Sequence, residues 1–267
     1  MKGKVQLRIF KSPHSSTNSA SVVVLVHGLN LKPERMDELA EFLAINNHTV
    51  LRVSLTGHRL LNGGGREPMS GVARDIWLRE ITEAITEARR LAEATGTTYS
   101  LAGFSLGGAL LWNYLAERSG QEPPPEKVLF IAPAIAAKWF AHASKLLAFM
   151  PDLTIPSLSP KEFRAHRGTT VGGYLALLDI VQRVKGAGQI KGTFPVTVVA
   201  NPEDELVSFK ELSSPPLANQ FSRYEVIPFV KEKTPAIKKL PAHLMVDSNS
   251  MTTGDWETFK SILLTHL

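Results

Sequence analysis

Gly103-Phe104-Ser105-Leu106-Gly107 reads Gly-x-Ser-x-Gly, with the apolar run Tyr99–Ala102 before it and a helical pattern from Ala109 to Glu117 after it. That setting matters more than the five letters. A serine on a sharp turn from strand to helix has its hydroxyl held exposed at the edge of a sheet. The flanking glycines are needed there because a Cβ at either position collides with neighbouring backbone. Such a motif recurs by chance in many chains. The reading therefore depends on the strand-turn-helix context and on whether later residues supply partners for a nucleophile.

A serine hydroxyl needs a base to take its proton, and the base needs a carboxylate to orient it. On a doubly wound sheet these follow on loops after later strands, in the order serine, acid, histidine. Pro195–Ala200 (PVTVVA) is a β-branched run of the kind buried on both faces. Asn201-Pro202 ends it, and the three carboxylates Glu203-Asp204-Glu205 follow at once. Tyr224–Ile227 reads as a further strand, with His243 beyond it in Pro241-Ala242-His243-Leu244. His266 is the only other histidine after the acids, and it lies at the end of the terminal helix pattern. The oxyanion of a tetrahedral intermediate needs backbone donors. The amide of Leu106, next to the serine, is one. Val22–Val26 (VVVLV) reads as the first buried strand, and His27-Gly28-Leu29-Asn30 follows it. The Leu29 amide is the candidate for the second donor, with Gly28 allowing the tight turn that would aim it.

These stretches together resemble the α/β-hydrolase superfamily: VVVLVHGLN, Thr56-Gly57-His58, GFSLGG at 103–108, PEDELV at 202–207 and HLMVD at 243–247. Within it the chain is most similar to bacterial carboxylesterases and monoacylglycerol lipases. The resemblance spans nearly the whole chain and is weakest in the first twenty residues and from about Ala134 to Gly192. It implies Ser105 as nucleophile, Asp204 as acid, His243 as base, and Leu29 and Leu106 as oxyanion donors. Asp204 is selected over its glutamate neighbours because the acid of such enzymes lies three residues before a hydrophobic residue, here Val207. The implied substrate is a small ester with an apolar, lipid-like acyl group, cleaved through an acyl-enzyme without a cofactor. A thioesterase, an amidase or a carbon–carbon bond hydrolase would carry the same triad. A non-catalytic binding protein on this fold is the remaining alternative, and an intact triad argues against it.

Length and composition fit this reading. A chain of 267 residues with 43% hydrophobic content suits one α/β domain, residues 1–267, rather than two. With no cysteine there is no disulfide framework, thiolate metal site or cysteine nucleophile. No His/Asp/Glu cluster has metal-ligand spacing, so no metal is expected. Residues Met1–Ile9 alternate polar and apolar, as an edge strand does. They lack the apolar core and cleavage site of a secretory signal, and no run approaches a membrane span. A cytoplasmic location is the expectation. The net charge of +5 is modest, and the short clusters Lys231-Glu232-Lys233 and Lys238-Lys239 read as a solvated loop. Without a basic stripe interleaved with aromatics, nucleic-acid binding is not expected.

The chain alternates between strands and helices. Expected strands are Val5–Phe10, Val22–Val26, Thr49–Ser54, Tyr99–Ala102, Val128–Ala132, Val196–Ala200 and Tyr224–Ile227. Met36, Leu39 and Leu43 share one helical face, as do Trp77, Ile81, Ile85, Ala88 and Leu91. A last helix begins near Asp255 as cap and carries Trp256, Phe259, Ile262 and Leu263. The expected fold class is thus α/β: a mostly parallel central sheet with helices on both faces. Residues 134–192 break the alternation and are strongly apolar. A small cap insertion is expected there, with Phe140, Phe149 and Met150 as its substrate-facing wall. His27 is expected to shape the oxyanion loop through hydrogen bonds, and His58 to be a structural histidine near the pocket. The glycines at 63–65 lack the strand-GxxxxGK-helix setting of a phosphate cradle and read as a loop.

Overall fold

The computed structural model describes residues 5–12, 21–118, 120–137, 147–157, 159–235 and 237–267. Seven strands form one sheet: β1 (Gln6–Phe10), β2 (Ser21–Val26), β3 (Thr49–Ser54), β4 (Thr98–Phe104), β5 (Val128–Ile131), β8 (Val196–Ala200) and β9 (Tyr224–Pro228). Their order across the sheet is β1-β3-β2-β4-β5-β8-β9. Only the edge strand β1 is antiparallel, paired to β3. The other pairings are parallel. Each of the seven strands read from the sequence has its counterpart here, with ends shifted by at most two residues.

The continuous apolar runs have a simple cause. Successive side chains of a strand point to opposite faces, and both faces of this sheet are covered. In β2, Val22, Val24 and Val26 join one buried cluster, while Val23 and Leu25 join the other. The first cluster is closed by α2 (Arg74–Thr95), α3 (Leu106–Glu117) and α4 (Val171–Gly186). The second is closed by α1 (Asp37–Ile45) and the terminal helix α7 (Thr253–His266). Trp77, Ile81, Ile85 and Ala88 of α2 are buried at the spacing read from the sequence, as are Trp256, Phe259 and Leu263 of α7. The cap of α7 is Thr252 rather than Asp255. Its hydroxyl accepts from the Asp255 amide at 3.2 Å, which puts Asp255 in the first turn, where a carboxylate faces the positive end of the helix.

The stretch 134–192 divides in two. Its C-terminal part is α4, which packs on α3 and buries Ala176, Leu177, Ile180, Val181 and Val184 in the main core. Those residues are spaced as one helical stripe and belong to the covering layer, so the cap expected over 134–192 cannot include them. Ahead of α4 lies a short antiparallel pair, β6 (Thr154–Pro156) and β7 (Gly168–Thr170). Two small helices, α5 (Phe209–Leu212) and α6 (Pro215–Ala218), follow β8.

Candidate active site

The site is built at the C-terminal ends of the parallel strands, where ligands bind in open α/β sheets. Ser105 sits between β4 and α3 with φ 51° and ψ −111°, a conformation that L side chains rarely adopt. The surroundings hold it there. Its amide donates to the Ile131 carbonyl at 2.9 Å, and its carbonyl accepts from Ala109 and Ala134, each at 3.0 Å. The glycines explain how the chain can turn so tightly. A Cβ on Gly103 would lie 2.6 Å from the Gly107 backbone, and one on Gly107 would lie 2.3 Å from the Val26 carbonyl oxygen. The first turn of α3 is therefore pressed directly against the end of β2.

Three residues from three loops meet at this turn. The Ser105 hydroxyl lies 2.9 Å from His243 Nε2, and His243 Nδ1 lies 2.7 Å from Asp204 Oδ2. Asp204 is only 1% exposed, and its other oxygen accepts from the amides of Leu206 at 2.7 Å and Val207 at 2.9 Å. Burial pushes its carboxyl up, but the charge His243 can take and the hydrogen bonds from His243, Val207 and Leu206 outweigh this and hold it below the ordinary aspartate value. A carboxylate held ionised in this way fixes the imidazole with Nδ1 protonated and Nε2 free to accept from the serine. The Phe104 ring packs against the imidazole, with centroids 5.1 Å apart. The neighbouring glutamates are directed elsewhere: Glu203 pairs with Lys233 at 2.6 Å, and Glu205 accepts from the amides of Ala242 and His243.

The loop after β2 lies beside the serine. A Cβ on Gly28 would meet the Phe104 ring at 2.8 Å and Ser105 Cβ at 3.2 Å. Leu29 follows on this loop, and among the described residues its amide has no protein acceptor. Leu106 is the first residue of α3, where amides have no partner within the helix. Leu106 thus directly follows Ser105, and Leu29 lies one residue beyond Gly28, whose added Cβ would meet Ser105 Cβ. His27 and His58 fix the loop. His27 Nε2 accepts from the Leu55 amide at 3.1 Å, which leaves Nδ1 to donate to the Gly28 carbonyl at 2.8 Å. His58 Nε2 accepts from the Asn30 amide at 2.9 Å. Burial lowers His27 to about 4 and His58 well below its usual value, so both are neutral acceptors.

The segment between β6 and β7 also holds this loop, an arrangement with no sequence signal. The Asn30 side chain accepts from the His166 amide at 2.8 Å and donates to the His166 carbonyl at 3.2 Å. The Lys32 amide donates to the Phe163 carbonyl at 2.8 Å. The residues expected to form a substrate wall are not brought to the triad in the same way. Phe140 lies outside the described residues. Phe149 and Met150 lie on an open turn, 77% and 44% exposed. No hydrogen bond or ring contact ties them to Ser105, Asp204 or His243 among the described residues. The described residues also contain no group of three metal-ligating side chains and no helix long and apolar enough to cross a membrane.

None of the curated proteins matches this chain. Among solved structures, one from work on the metagenome-derived lipolytic enzymes LipS and LipT superposes with a TM-score of 0.70 at 18% identity, over 98% of this chain and 96% of that one. A soluble variant of monoglyceride lipase from Saccharomyces cerevisiae gives 0.75 at 13% identity, over 97% and 89%. A monoacylglycerol lipase from Paleococcus ferrophilus gives 0.63 at 19% identity, over 85% and 89%. At such identities the likeness is one of fold. The family model that matches, Hydrolase_4, described as serine aminopeptidase, S33, covers residues 17–168, more than half of the chain and including the Ser105 turn. The chain belongs to this family of α/β-hydrolases.

Proposed function

We propose that this protein hydrolyses carboxylic esters of apolar acyl groups through an acyl-enzyme on Ser105, with His243 as base and Asp204 as acid. The observation that carries the reading is the continuous chain Asp204–His243–Ser105, with links of 2.7 and 2.9 Å, ending on a serine held in a strained turn. In this mechanism His243 takes the Ser105 proton as Oγ attacks the ester carbonyl. The amides of Leu29 and Leu106 bind the oxyanion. The protonated imidazole then gives its proton to the leaving alcohol, and finally activates the water that releases the acid. No step calls on a cofactor or metal. We further propose that residues 1–267 form one hydrolase domain, with the 147–170 segment as a small cap beside the oxyanion loop. Its attachment to Asn30 and Lys32 supports that role.

The similar folds of lipolytic enzymes and monoacylglycerol lipases support an ester substrate. The family description favours a second reading, cleavage of a peptide bond after an N-terminal residue. The same triad would serve both. The test is a panel of p-nitrophenyl esters of rising chain length, monoacylglycerols, an acyl-thioester and aminoacyl p-nitroanilides. Ester turnover at least tenfold above the anilides is the expected result, and the reverse order would replace this substrate assignment with the peptidase one. Ser105→Ala should abolish turnover of the preferred substrate and remove labelling by a fluorophosphonate probe. Labelling at another serine, or full activity in this variant, would overturn the mechanism.

A further inference from the structure

Lys231 is a buried cation for which the proposed chemistry has no use. It is 5% exposed and lies three residues beyond the end of β9. Its side chain turns under the loop that carries His243. There the ammonium donates to the carbonyls of Pro241 at 2.7 Å, Leu244 at 2.8 Å and Ser250 at 3.2 Å. An ammonium has three donors, so all of them are used. Glu205 holds the same loop by its amides: Oε1 accepts from Ala242 at 2.9 Å and Oε2 from His243 at 3.2 Å. Five backbone groups of one irregular loop thus converge on two side chains of opposite charge from other parts of the chain. Strand ladders and helix turns satisfy such groups elsewhere, whereas this loop supplies a backbone donor of its own to only one of them, the Pro241 carbonyl, which also accepts from the Leu244 amide at 3.1 Å among the described residues. Burying an ammonium is costly, and an apolar side chain would pack the space more cheaply if the three carbonyls did not need donors.

We propose that Lys231 and Glu205 are positioning residues for His243, clamping its loop from the carbonyl side and the amide side so that the imidazole spans Asp204 and Ser105. The inference rests on the triad reading above. Neither residue touches the reacting atoms. They act by holding two hydrogen bonds in register, and a displacement of about 1 Å in such a constellation costs on the order of a hundredfold in rate.

The clamp has a pH signature. Burial lowers Lys231 to about 8, against the raising effect of Glu205, Asp255 and Asp204. Glu205 and Asp204 face it from the loop after β8, and Asp255 faces it from α7. Glu203, Glu232, Lys233 and Lys238 line the same cavity of about 260 Å³. Above that pH the neutral amine has two donors for three carbonyls, and the loop loosens. The effect on global stability has the opposite sign. An unfolded lysine keeps its proton up to 10.5. Between the two values the unfolded chain therefore holds more protons, and this group makes folding more favourable as pH rises. A rate that falls while the fold holds is the result to look for.

The experiment measures two quantities from pH 7 to 10 on the full-length protein: the fluorophosphonate labelling rate at Ser105, and kcat and KM for p-nitrophenyl butyrate. Circular-dichroism melts accompany each point. The variants are Lys231→Met and Glu205→Gln, with Glu203→Gln as a control outside the clamp. The wild-type rate should decline above about pH 8 with no drop in melting midpoint. Lys231→Met should label and turn over roughly 10- to 100-fold more slowly at pH 7.5, with KM within about twofold and no further alkaline decline. Glu205→Gln keeps one acceptor and should lose roughly three- to tenfold in kcat. A folded Lys231→Met with wild-type rate and profile overturns the proposal. If that variant does not fold, a Glu205→Gln that matches wild type overturns it instead. Ser105→Ala separates the two readings. If it stays active, the triad reading falls. If it is dead while both clamp variants behave as wild type, only the positioning role falls.

Discussion

Three adjacent carboxylates leave β8, and each meets a different partner. Glu203 reaches solvent and Lys233, Asp204 turns inward to His243, and Glu205 reaches the backbone of the His243 loop. Consecutive residues leaving an extended strand face different ways, so only one of the three can align the imidazole. Asp204→Asn should lower kcat by on the order of 10³–10⁴, because an amide in place of the carboxylate no longer favours the tautomer with Nδ1 protonated. Glu203→Gln should leave steady-state kinetics unchanged, since an exposed ion pair contributes little. Kinetics of the two purified variants on one ester decide this. A Glu203→Gln loss as large as that of Asp204→Asn would move the acid by one residue.

At the scale of elements, the site depends on how closely α3 approaches β2. Helices packed on a sheet through ordinary side chains stand well away from it, whereas here Gly107 lets helix backbone touch strand backbone. In Gly107→Ala the new methyl would sit 2.3 Å from the Val26 carbonyl oxygen, which is backbone and cannot swing aside. The first turn of α3 must move, and the Ser105 hydroxyl and Leu106 amide move with it. The expected loss in kcat is on the order of a hundredfold or more, accompanied by a lower melting midpoint. Gly186→Ala, at the end of α4 with nothing within 4 Å of the added Cβ, is the matched control. It should be neutral or slightly stabilising. Kinetics and melts of the pair, side by side, test whether the close approach rather than glycine as such is what matters.

At the scale of the whole molecule, buried titratable groups set the response to acid. His27 titrates near 4 when folded and at 6.5 when unfolded, because burial disfavours its charged form. A histidine with a depressed folded value contributes stability that is complete above 6.5 and is lost as pH falls toward the folded value. For His27 alone this amounts to about 3 kcal/mol. His58 and His48 act in the same direction. Asp247 has the opposite sign. Burial raises it to about 6, against Arg35 at 2.6 Å, so its term makes folding more favourable as pH falls from 6 toward 3.8. Between pH 6.5 and 6 the histidines act almost alone. Urea midpoints should therefore begin to fall below pH 6.5, and Asp247→Asn should make the fall between 6 and 4 steeper. A midpoint flat down to pH 5 in the wild type would contradict the buried neutral histidines.

Periodicity and short motifs determined much of this protein unaided. The two-sided apolar runs specified a parallel sheet, because strands covered on both faces cannot alternate. The stripes in α1, α2 and α7 specified which helix faces are buried. The Gly-x-Ser-x-Gly turn and the order of the later acid and histidine pointed to Ser105 and His243 and narrowed the acid to Glu203, Asp204 and Glu205, because each is announced by its neighbours along the chain, while the choice of Asp204 among the three came from the family resemblance. Tertiary structure alone decided whatever depends on residues far apart in sequence. Helix α4 joins the main core instead of a cap, since the sheet face beside α3 must be covered and α4 carries the matching stripe. The β6–β7 segment holds the Asn30 loop through bonds between residues 136 apart, and three-residue strands are too short to show a period. Lys231, read from the sequence as part of a solvated Lys-Glu-Lys cluster, is instead buried, because the fold brings the carbonyls of residues 241, 244 and 250 around it. Local patterns encode which way a side chain faces, whereas the partner it meets is set by how the chain returns.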